Sequence, residues 1–238
     1  MQRFFYTSPL TIDMTISDSA FVHQISRVLR TRVGDTIILF SGDGLEYMYA
    51  VQRIEKNAIY LRWLSQTKNL NDPLTHIHLY QALPNKYEKI EYIIEKGVEV
   101  GIASFTFFRS DFSQKLAVTS QKISRFQAIA REALEQCGGS RFPRITFLDS
   151  YDFRNWLSYP SLILHTNVQK LNQYLPFSHE IGLFVWPEGG WSEREIWEMC
   201  KNGSITVQFW WRILRTETAA SVVAFSLLHV QEFQNIIC

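Results

Sequence analysis

Beyond about residue 73 the chain alternates between strand-like apolar runs and segments with helical periodicity. Strand-like runs at 76–83 and 104–108 alternate with helical patterns at 88–100 and 121–136. Four further runs are short and almost continuously apolar, as buried parallel strands are. They span residues 145–148, 162–164, 181–185 and 205–209. The alternation predicts an α/β fold in which helices cover a parallel sheet.

The preceding part of the chain follows a different pattern. Residues 36–40 and 58–61 are short apolar runs, and a turn-rich Ser-Gly-Asp-Gly stretch follows the first of them. This pattern predicts a small β-rich unit. The polar stretch 65–73 has no apolar periodicity and is the natural linker, so we place a domain boundary between residues 71 and 72 and expect domains 1–71 and 72–238.

Charge gives only local support for nucleic-acid binding. The net charge of the 238-residue chain is +1, so any RNA must be held by clusters. His23, Arg27 and Arg30 would share one face of a helix, with Arg32 just beyond. A solvated helix face explains the same spacing equally well.

Compartment and metal binding are constrained by cysteine and histidine. Cys137, Cys200 and Cys238 are odd in number and widely spaced, which fits neither a disulfide framework nor a zinc site. The chain has no long apolar segment of the kind that signal peptides and membrane spans require. We therefore expect a cytoplasmic protein that needs no membrane and no metal, although His76 and His78 share one strand face.

The first segment with chemical content is the loop Trp186-Pro187-Glu188-Gly189-Gly190. Proline and paired glycines make a tight loop with exposed backbone groups, and a Ser-x-x-Glu capping box at 192–195 predicts the start of a helix. A loop at the carboxyl end of a strand can offer main-chain groups to a flat polar ligand such as adenine. A plain strand–loop–helix connection is the alternative.

A second segment, 208–220, is more specific. It reads Gln-Phe-Trp-Trp-Arg-Ile-Leu-Arg-Thr-Glu-Thr-Ala-Ala and precedes a helical pattern at 221–230. Together the two segments resemble the Gly-Pro-Glu-Gly-Gly loop and the Leu-Gly-x-Arg-Ile-Leu-Arg-x-Glu-Thr-Ala segment of the RsmE-type ribosomal RNA methyltransferases, which are SPOUT-class enzymes. Weaker matches at 95–101 and 131–137, and at the amino terminus, extend the likeness over both domains.

The resemblance implies a fold and an activity. The fold would be a SPOUT-type parallel sheet with a carboxyl-terminal trefoil knot, preceded by a PUA-like β-barrel that binds RNA. The protein would be a homodimer with active sites at the subunit interface. It would use S-adenosylmethionine, and no metal, to methylate N3 of a uridine in 16S rRNA of the small ribosomal subunit.

The resemblance also implies two sets of binding residues. The cofactor-binding set is Leu164, His165, Trp186, Pro187, Glu188, Gly189, Gly190, Phe209, Trp210, Ile213, Leu214 and Thr218. The RNA-binding set is Arg3, His23, Arg27, Arg30 and Arg109. Glu188 could instead only steady the glycine loop, and Arg109 could be a solvated charge at a strand end.

Three residues are candidates for catalysis. Methyl transfer to N3 needs positioning, an in-line approach and removal of the N3 proton. By hypothesis Arg212 and Arg215 bind phosphate or polarise the uracil carbonyls, because guanidinium is always charged and presents a fork of donors. Glu217 could orient an arginine or move the proton. Alternatively, Arg215 forms an ion pair across the dimer interface and Glu217 caps the following helix.

Two family glycines are tryptophans in this chain, Trp186 and Trp210. Their rings could point into the core or dimer interface, fill the pocket, or stack on adenine or a base. If they fill the pocket, the protein would be a catalytically silent RNA-binding dimer. Methylation of another RNA or another atom is a further alternative.

Overall fold

The computed structural model describes residues 2–153, 157–166, 178–208 and 212–237. The chain forms two compact units. One comprises Met1–Asp72 with Leu134–Phe142, and the other comprises Pro73–Ala133 with Pro143–Cys238. The short segment 134–142 therefore groups with the amino-terminal part of the chain, although it follows residues of the second unit in sequence.

The amino-terminal unit is built on a five-stranded sheet. Its strands are β1 (Gln2–Phe5), β2 (Asp13–Ile16), β3 (Thr36–Phe40), β4 (Leu45–Ile54) and β5 (Ile59–Lys68). Their order across the sheet is β1-β3-β4-β5-β2. Only β1 and β3 pair in parallel, and the other neighbours are antiparallel. The core is formed by buried apolar residues that include Ile16, Ile25, Leu39 and Tyr49.

This unit corrects two details of the sequence interpretation. The polar stretch expected to be a linker begins inside a strand, because β5 continues to Lys68. Pairing with β4 satisfies its backbone groups, and mostly exposed side chains leave no apolar pattern to detect. The helix expected around His23 is also shorter: α1 (Ser19–His23) passes into a π-helical turn at Gln24–Val28.

The second unit carries a six-stranded sheet in which every pair of neighbours is parallel. Its elements are β6 (His76–Ala82), α2 (Tyr87–Val100), β7 (Ser104–Phe108), α3 (Ser120–Cys137), β8 (Arg144–Leu148), β9 (Ser161–Leu164), β10 (Glu180–Val185), α4 (Glu193–Lys201), β11 (Ile205–Val207) and α5 (Thr216–Ile237). The strand order is β11-β9-β10-β6-β7-β8. The predicted parallel sheet is confirmed, although β11 ends at Val207 and Gln208 lies outside it.

Helix α2 shows how the sequence fixes one layer of this unit. Ile90, Ile93, Ile94, Gly97 and Val98 are buried, at the spacing of one helix face. A Cβ at position 97 would lie 2.5 Å from the Phe105 ring, so glycine allows the helix to approach β7. The helix ends at residue 101, a glycine with a left-handed φ of 93°.

An aromatic cluster packs on the sheet where β6, β7 and β10 are neighbours. The Tyr80 and Phe184 rings stack at 4.6 Å, and Phe108 and Trp191 stack at 6.2 Å. Phe153 joins both pairs in the same buried cluster. Aromatic contacts of this kind add about 0.5–1.5 kcal/mol each beyond area burial, so they hold these three strands firmly. Among the described residues, no helix combines the length and apolarity needed to cross a membrane.

His78 of β6 is a titratable group in a largely buried position. Its Nδ1 lies 2.7 Å from Ser104 Oγ, and its ring stacks on Tyr159 at 4.8 Å. Burial lowers the pKa of His78; Glu180 opposes this shift, while His76 and Arg144 add to it. The folded protein therefore favours the neutral imidazole.

We expect this histidine to make stability depend on pH. The histidine of the unfolded chain has a pKa of about 6.5. As the pH falls below that value, the unfolded chain therefore binds a proton more readily than the folded chain does. The free energy of unfolding should fall between about pH 7.5 and about pH 5.5. Urea unfolding of the wild type and of His78→Asn, whose amide can still bond Ser104, measures this. Equal pH dependence in the two proteins would contradict the assignment.

Candidate active site

Strands β9, β10 and β11 end along one edge of the parallel sheet, and a cleft opens there. The carboxyl ends of parallel strands are where ligands bind in open α/β sheets. The cleft holds about 350 Å³ of empty space, part of it open to solvent. Its walls come from three strand ends and from the start of α5. The lining residues are Leu164, His165, Thr166, Trp186, Val207, Gln208, Arg212, Ile213, Leu214, Ala219 and Val223.

The loop 186–190 begins at the cleft, where Trp186 is its one lining residue. Gly190 N donates to Pro187 O at 2.9 Å, and Gly190 has a φ of 77°, a conformation that favours glycine. A Cβ on Gly189 would lie 2.8 Å from Phe112 Cβ, so this position also needs a residue without a side chain. The two glycines are therefore required by the loop itself, whatever it binds.

The predicted capping box is confirmed at the start of α4. Ser192 Oγ accepts from Glu195 N, and the Glu195 carboxylate accepts from Ser192 N at 2.9 Å. Glu195 is fully buried and also accepts from Asp111 N at 3.0 Å. Arg194 donates to Asp111 at 2.6 Å, and the bonds from Arg194 and Ser192 lower the pKa of the Asp111 carboxyl. The start of α4 is thus bonded to the segment after β7.

Trp186 lines the cleft and also packs against the aromatic cluster of β6, β7 and β10. Its carbonyl oxygen accepts from Thr216 Oγ1 at 2.5 Å. This placement fits both a ring that packs on the core and a ring that takes up part of the pocket, which are two of the three readings of this substitution. Trp210, the other tryptophan at a family glycine, lies outside the described residues, as does Phe209.

Trp191 fixes the neighbouring strand. Its indole Nε1 donates to Leu164 O at 3.0 Å, and the residue is buried. Leu164 is the last residue of β9 and lines the cleft. The ring therefore sets the position of one wall from behind.

The structure brings many predicted residues to the cleft, but not all of them. Arg212 is exposed and lines it, and Ile213 is 81% exposed. Arg215 is exposed just before α5, and Thr218 is half-buried in the first turn of α5 without lining the cleft. Within the described part of the chain, neither Arg212 nor Arg215 forms an ion pair.

Glu188 and Glu217 share one cation. Lys89 Nζ lies 2.5 Å from Glu188 Oε1 and 3.9 Å from Glu217 Oε2. Asn85 N also donates to Glu188, at 3.2 Å. Burial alone would raise the pKa of the Glu188 carboxyl, but the bonds from Lys89 and from backbone N–H groups outweigh it and lower the pKa. Glu188 is thus held by α2 and the segment just before it.

Sequence reasoning missed three residues here: Gln81, Lys89 and Thr216. Gln81 is fully buried, and its Nε2 donates to Thr216 Oγ1 at 2.9 Å and to Trp186 O at 3.3 Å. A glutamine next to the last residue of β6 was the only available signal. Lys89 looked like an ordinary helix charge, and Thr216 like an ordinary helix start.

The predicted RNA-binding residues fall into different surroundings. His23 and Arg27 are exposed along α1 and the π-helical turn. Arg30 is also exposed, but it lies beyond the helix with a φ of 53°, so the expectation that the three residues share one helix face is wrong. The π-helical turn and the left-handed residue both break the 3.6-residue spacing.

Arg3 and Arg109 contrast with each other. The Arg3 guanidinium is 14% exposed, donates to Glu46 at 2.5 Å and to Gly139 O at 3.0 Å, and lies over the Phe40 ring. Arg3 is therefore used inside the amino-terminal unit. Arg109 is exposed directly after β7. The described residues contain no cluster of three His, Cys, Asp or Glu side chains suited to a metal ion.

Comparison with known proteins shows which family this chain resembles. A profile of the RNA methyltransferase domain matches residues 71–229, and a profile of the RNA methyltransferase PUA domain matches residues 25–63. The ribosomal RNA small subunit methyltransferase E of Buchnera aphidicola (subspecies Acyrthosiphon pisum) is 32% identical, over 87% of this chain and 83% of its own. The Bacillus subtilis protein of the same name is 30% identical, over 83% of both chains.

Solved structures agree. A Neisseria gonorrhoeae ribosomal RNA small subunit methyltransferase E bound to S-adenosyl methionine superimposes with a TM-score of 0.85 at 26% identity, covering 97% of this chain and 98% of its own. The methyltransferase Lpg2936 of Legionella pneumophila, in complex with the same cofactor, gives a TM-score of 0.83 at 26% identity, covering 96% of both chains. The expected resemblance, the α/β class with its parallel sheet and the β-rich PUA-like unit are confirmed, and the chain belongs to the RNA methyltransferase family that includes the ribosomal RNA small subunit methyltransferases E.

Proposed function

We propose that this protein transfers a methyl group from S-adenosylmethionine to N3 of a uridine in 16S rRNA of the small ribosomal subunit. The observation that carries the proposal is the cleft at the carboxyl ends of β9, β10 and β11. It is lined by Leu164, His165, Trp186, Ile213 and Leu214, which the family resemblance assigns to binding of the methyl donor. The relatives are named ribosomal RNA small subunit methyltransferases E, and two solved relatives hold this cofactor.

The residues present fit the cofactor. The lining of the cleft is mostly apolar with a few polar side chains, as small-molecule sites usually are. Leu164, Leu214 and Val223 give apolar surface for a nucleoside. These residues, with the 186–190 loop, would hold the cofactor. When bound, it supplies an electrophilic methyl group on a sulfonium.

The arginines at the rim suit the uridine and its phosphates. Arg212 and Arg215 are exposed and form no ion pair with a described residue, so their donors can face a substrate. A guanidinium near the uracil carbonyls would stabilise negative charge as the N3 proton leaves. Glu217, 14% exposed at the start of α5, would orient an arginine or accept the proton.

We also propose the wider setting that the resemblance implies. The amino-terminal unit would hold RNA through His23, Arg27 and Arg30, with Arg109 contributing from the second unit. The chain around the cleft would form a trefoil knot, and two chains would form a homodimer in the cytoplasm. Phe225 of α5 is 57% exposed and Val230 is 39% exposed; large apolar residues exposed on one helix are typical of a surface that a second chain covers.

Removal of one rim guanidinium should stop the reaction without unfolding the protein. We expect Arg215→Ala to lower kcat by about 10²–10³, the loss typical of a donor that stabilises developing charge. The thermal midpoint should stay unchanged because the side chain is exposed. Transfer of labelled methyl to unmodified small-subunit rRNA, with mapping of the modified atom, measures this. Full activity in the variant would remove Arg215 from the site, and a mark elsewhere would indicate another target.

The tryptophan at 186 should support stability more than it hinders the cofactor. Because the ring is half-buried against the core, Trp186→Gly should lower the free energy of unfolding by about 2 kcal/mol. The wild type should already bind S-adenosylmethionine in calorimetry. If the wild type gives no saturable heat and the glycine variant binds, the ring blocks the pocket and the silent-dimer alternative holds.

The dimer can be tested at α5. The wild type should sediment at twice the chain mass of 27.9 kDa. Phe225→Glu should shift it toward monomer because a buried unpaired carboxylate is costly, and activity should fall with it. Leu70→Glu, which places the same charge at a 90% exposed position, is the matched control. A wild type that sediments as a monomer would contradict the dimer.

A further inference from the structure

Two segments flank the cleft, and no covalent feature holds them together. One is the 186–190 loop after β10, whose Trp186 lines the cleft, and the other is the start of α5 at 216–217, just before the lining residue Ala219. They are about thirty residues apart in sequence. The width of the cleft therefore depends on non-covalent contacts between them.

Gln81 joins the two segments from the inside. Its amide lies at the end of β6, directly beside β10, and donates to Trp186 O and to Thr216 Oγ1. The Thr216 hydroxyl in turn donates to Trp186 O. The three groups form a closed set of hydrogen bonds in a dry environment, where such bonds are strong and a missing partner is costly.

Lys89 joins the same two segments from the outside. Its ammonium contacts Glu188 of the loop and lies near Glu217 of α5. Glu217 Oε2 is buried and has no hydrogen-bond partner among the described residues, so this lysine is the nearest described cation for that carboxylate. Without it, two carboxylates would face each other across the walls and repel.

We infer that Gln81 and Lys89 are positioning residues that hold the 186–190 loop against the start of α5 and so set the width of the cofactor cleft. Both belong to the scaffold: one ends a central strand and the other sits on α2, which packs against α5. Neither needs to touch the cofactor. The inference rests on the proposed function for its effect on affinity, but the tie between the two segments exists without any ligand.

Lys89→Met should separate positioning from general stability. The Lys89 pairs are partly exposed, at 22% and 31% for Lys89 and Glu188, and such pairs contribute little to stability. The thermal midpoint should therefore shift by no more than about 2 °C. Loosening the contact between these segments should weaken the binding of S-adenosylmethionine by about five- to tenfold in Kd and KM.

Helix α2 provides a matched control. Lys96 lies two turns further along and also contacts two carboxylates, Glu95 and Glu99, at 2.8 Å each. All three residues are on α2, so Lys96→Met breaks a local ion pair without touching the cleft and should leave Kd and KM unchanged. Lys89→Arg keeps the charge and should restore most of the affinity.

Amide hydrogen exchange on the free full-length protein gives the readout that does not need the cofactor. Lys89→Met should speed exchange in both 186–190 and 216–223, while Lys96→Met should not. Gln81→Met should also speed exchange in both segments. It should lower the thermal midpoint as well, because Trp186 O and Thr216 Oγ1 lose the amide that bonds them. Faster exchange in both segments supports the contact between them whether or not the wild type binds the cofactor. A wild type that binds no cofactor would instead overturn the proposed function. Unchanged exchange in Lys89→Met overturns the inference. If the wild type binds S-adenosylmethionine, an unchanged affinity in Lys89→Met also overturns it.

Discussion

Parallel pairing of β9, β10 and β11 is the constraint on which the site depends. Because all three strands run in one direction, their carboxyl ends meet at one edge, and the loops that follow must turn away from the sheet there. Segments that are far apart in sequence become the walls of a single cleft. A reversal of any one strand would send its loop to the opposite edge, so the site is a consequence of topology before it is one of side-chain chemistry.

The aromatic packing against the sheet fixes the positions of the strand ends along this edge. Trp191 bonds the last carbonyl of β9 while its ring stacks on Phe108, and Trp186 packs on the same cluster. A site held by interlocked rings and buried hydrogen bonds keeps its shape before a ligand arrives, which lowers the ordering cost of binding. The tryptophan at the first loop position thus adds apolar contact to the scaffold in a place where glycine would add none.

Some of this architecture could be predicted from local pattern, and some could not. The buried parallel strands and the capping box at Ser192 and Glu195 depend on neighbours within a few residues, so periodicity and spacing reveal them. The paired loops at 186 and 212 could be identified as a site only through their resemblance to a family. Arg30 escaped the prediction because a π-helical turn and a left-handed residue change its direction, and neither has a clear sequence signal.

Gln81 shows the deeper reason why the rest was hidden. Its importance lies in two partners, Trp186 and Thr216, that are 105 and 135 residues away, and nothing near it in sequence indicates them. A buried amide is costly unless it is bonded, and the partners of this glutamine are known only once the fold brings distant segments together. Those partners lie beside the cleft. The sheet that gathers the loops therefore also supplies the groups that tie them, and the shape of the site is determined by residues that need not touch what it binds.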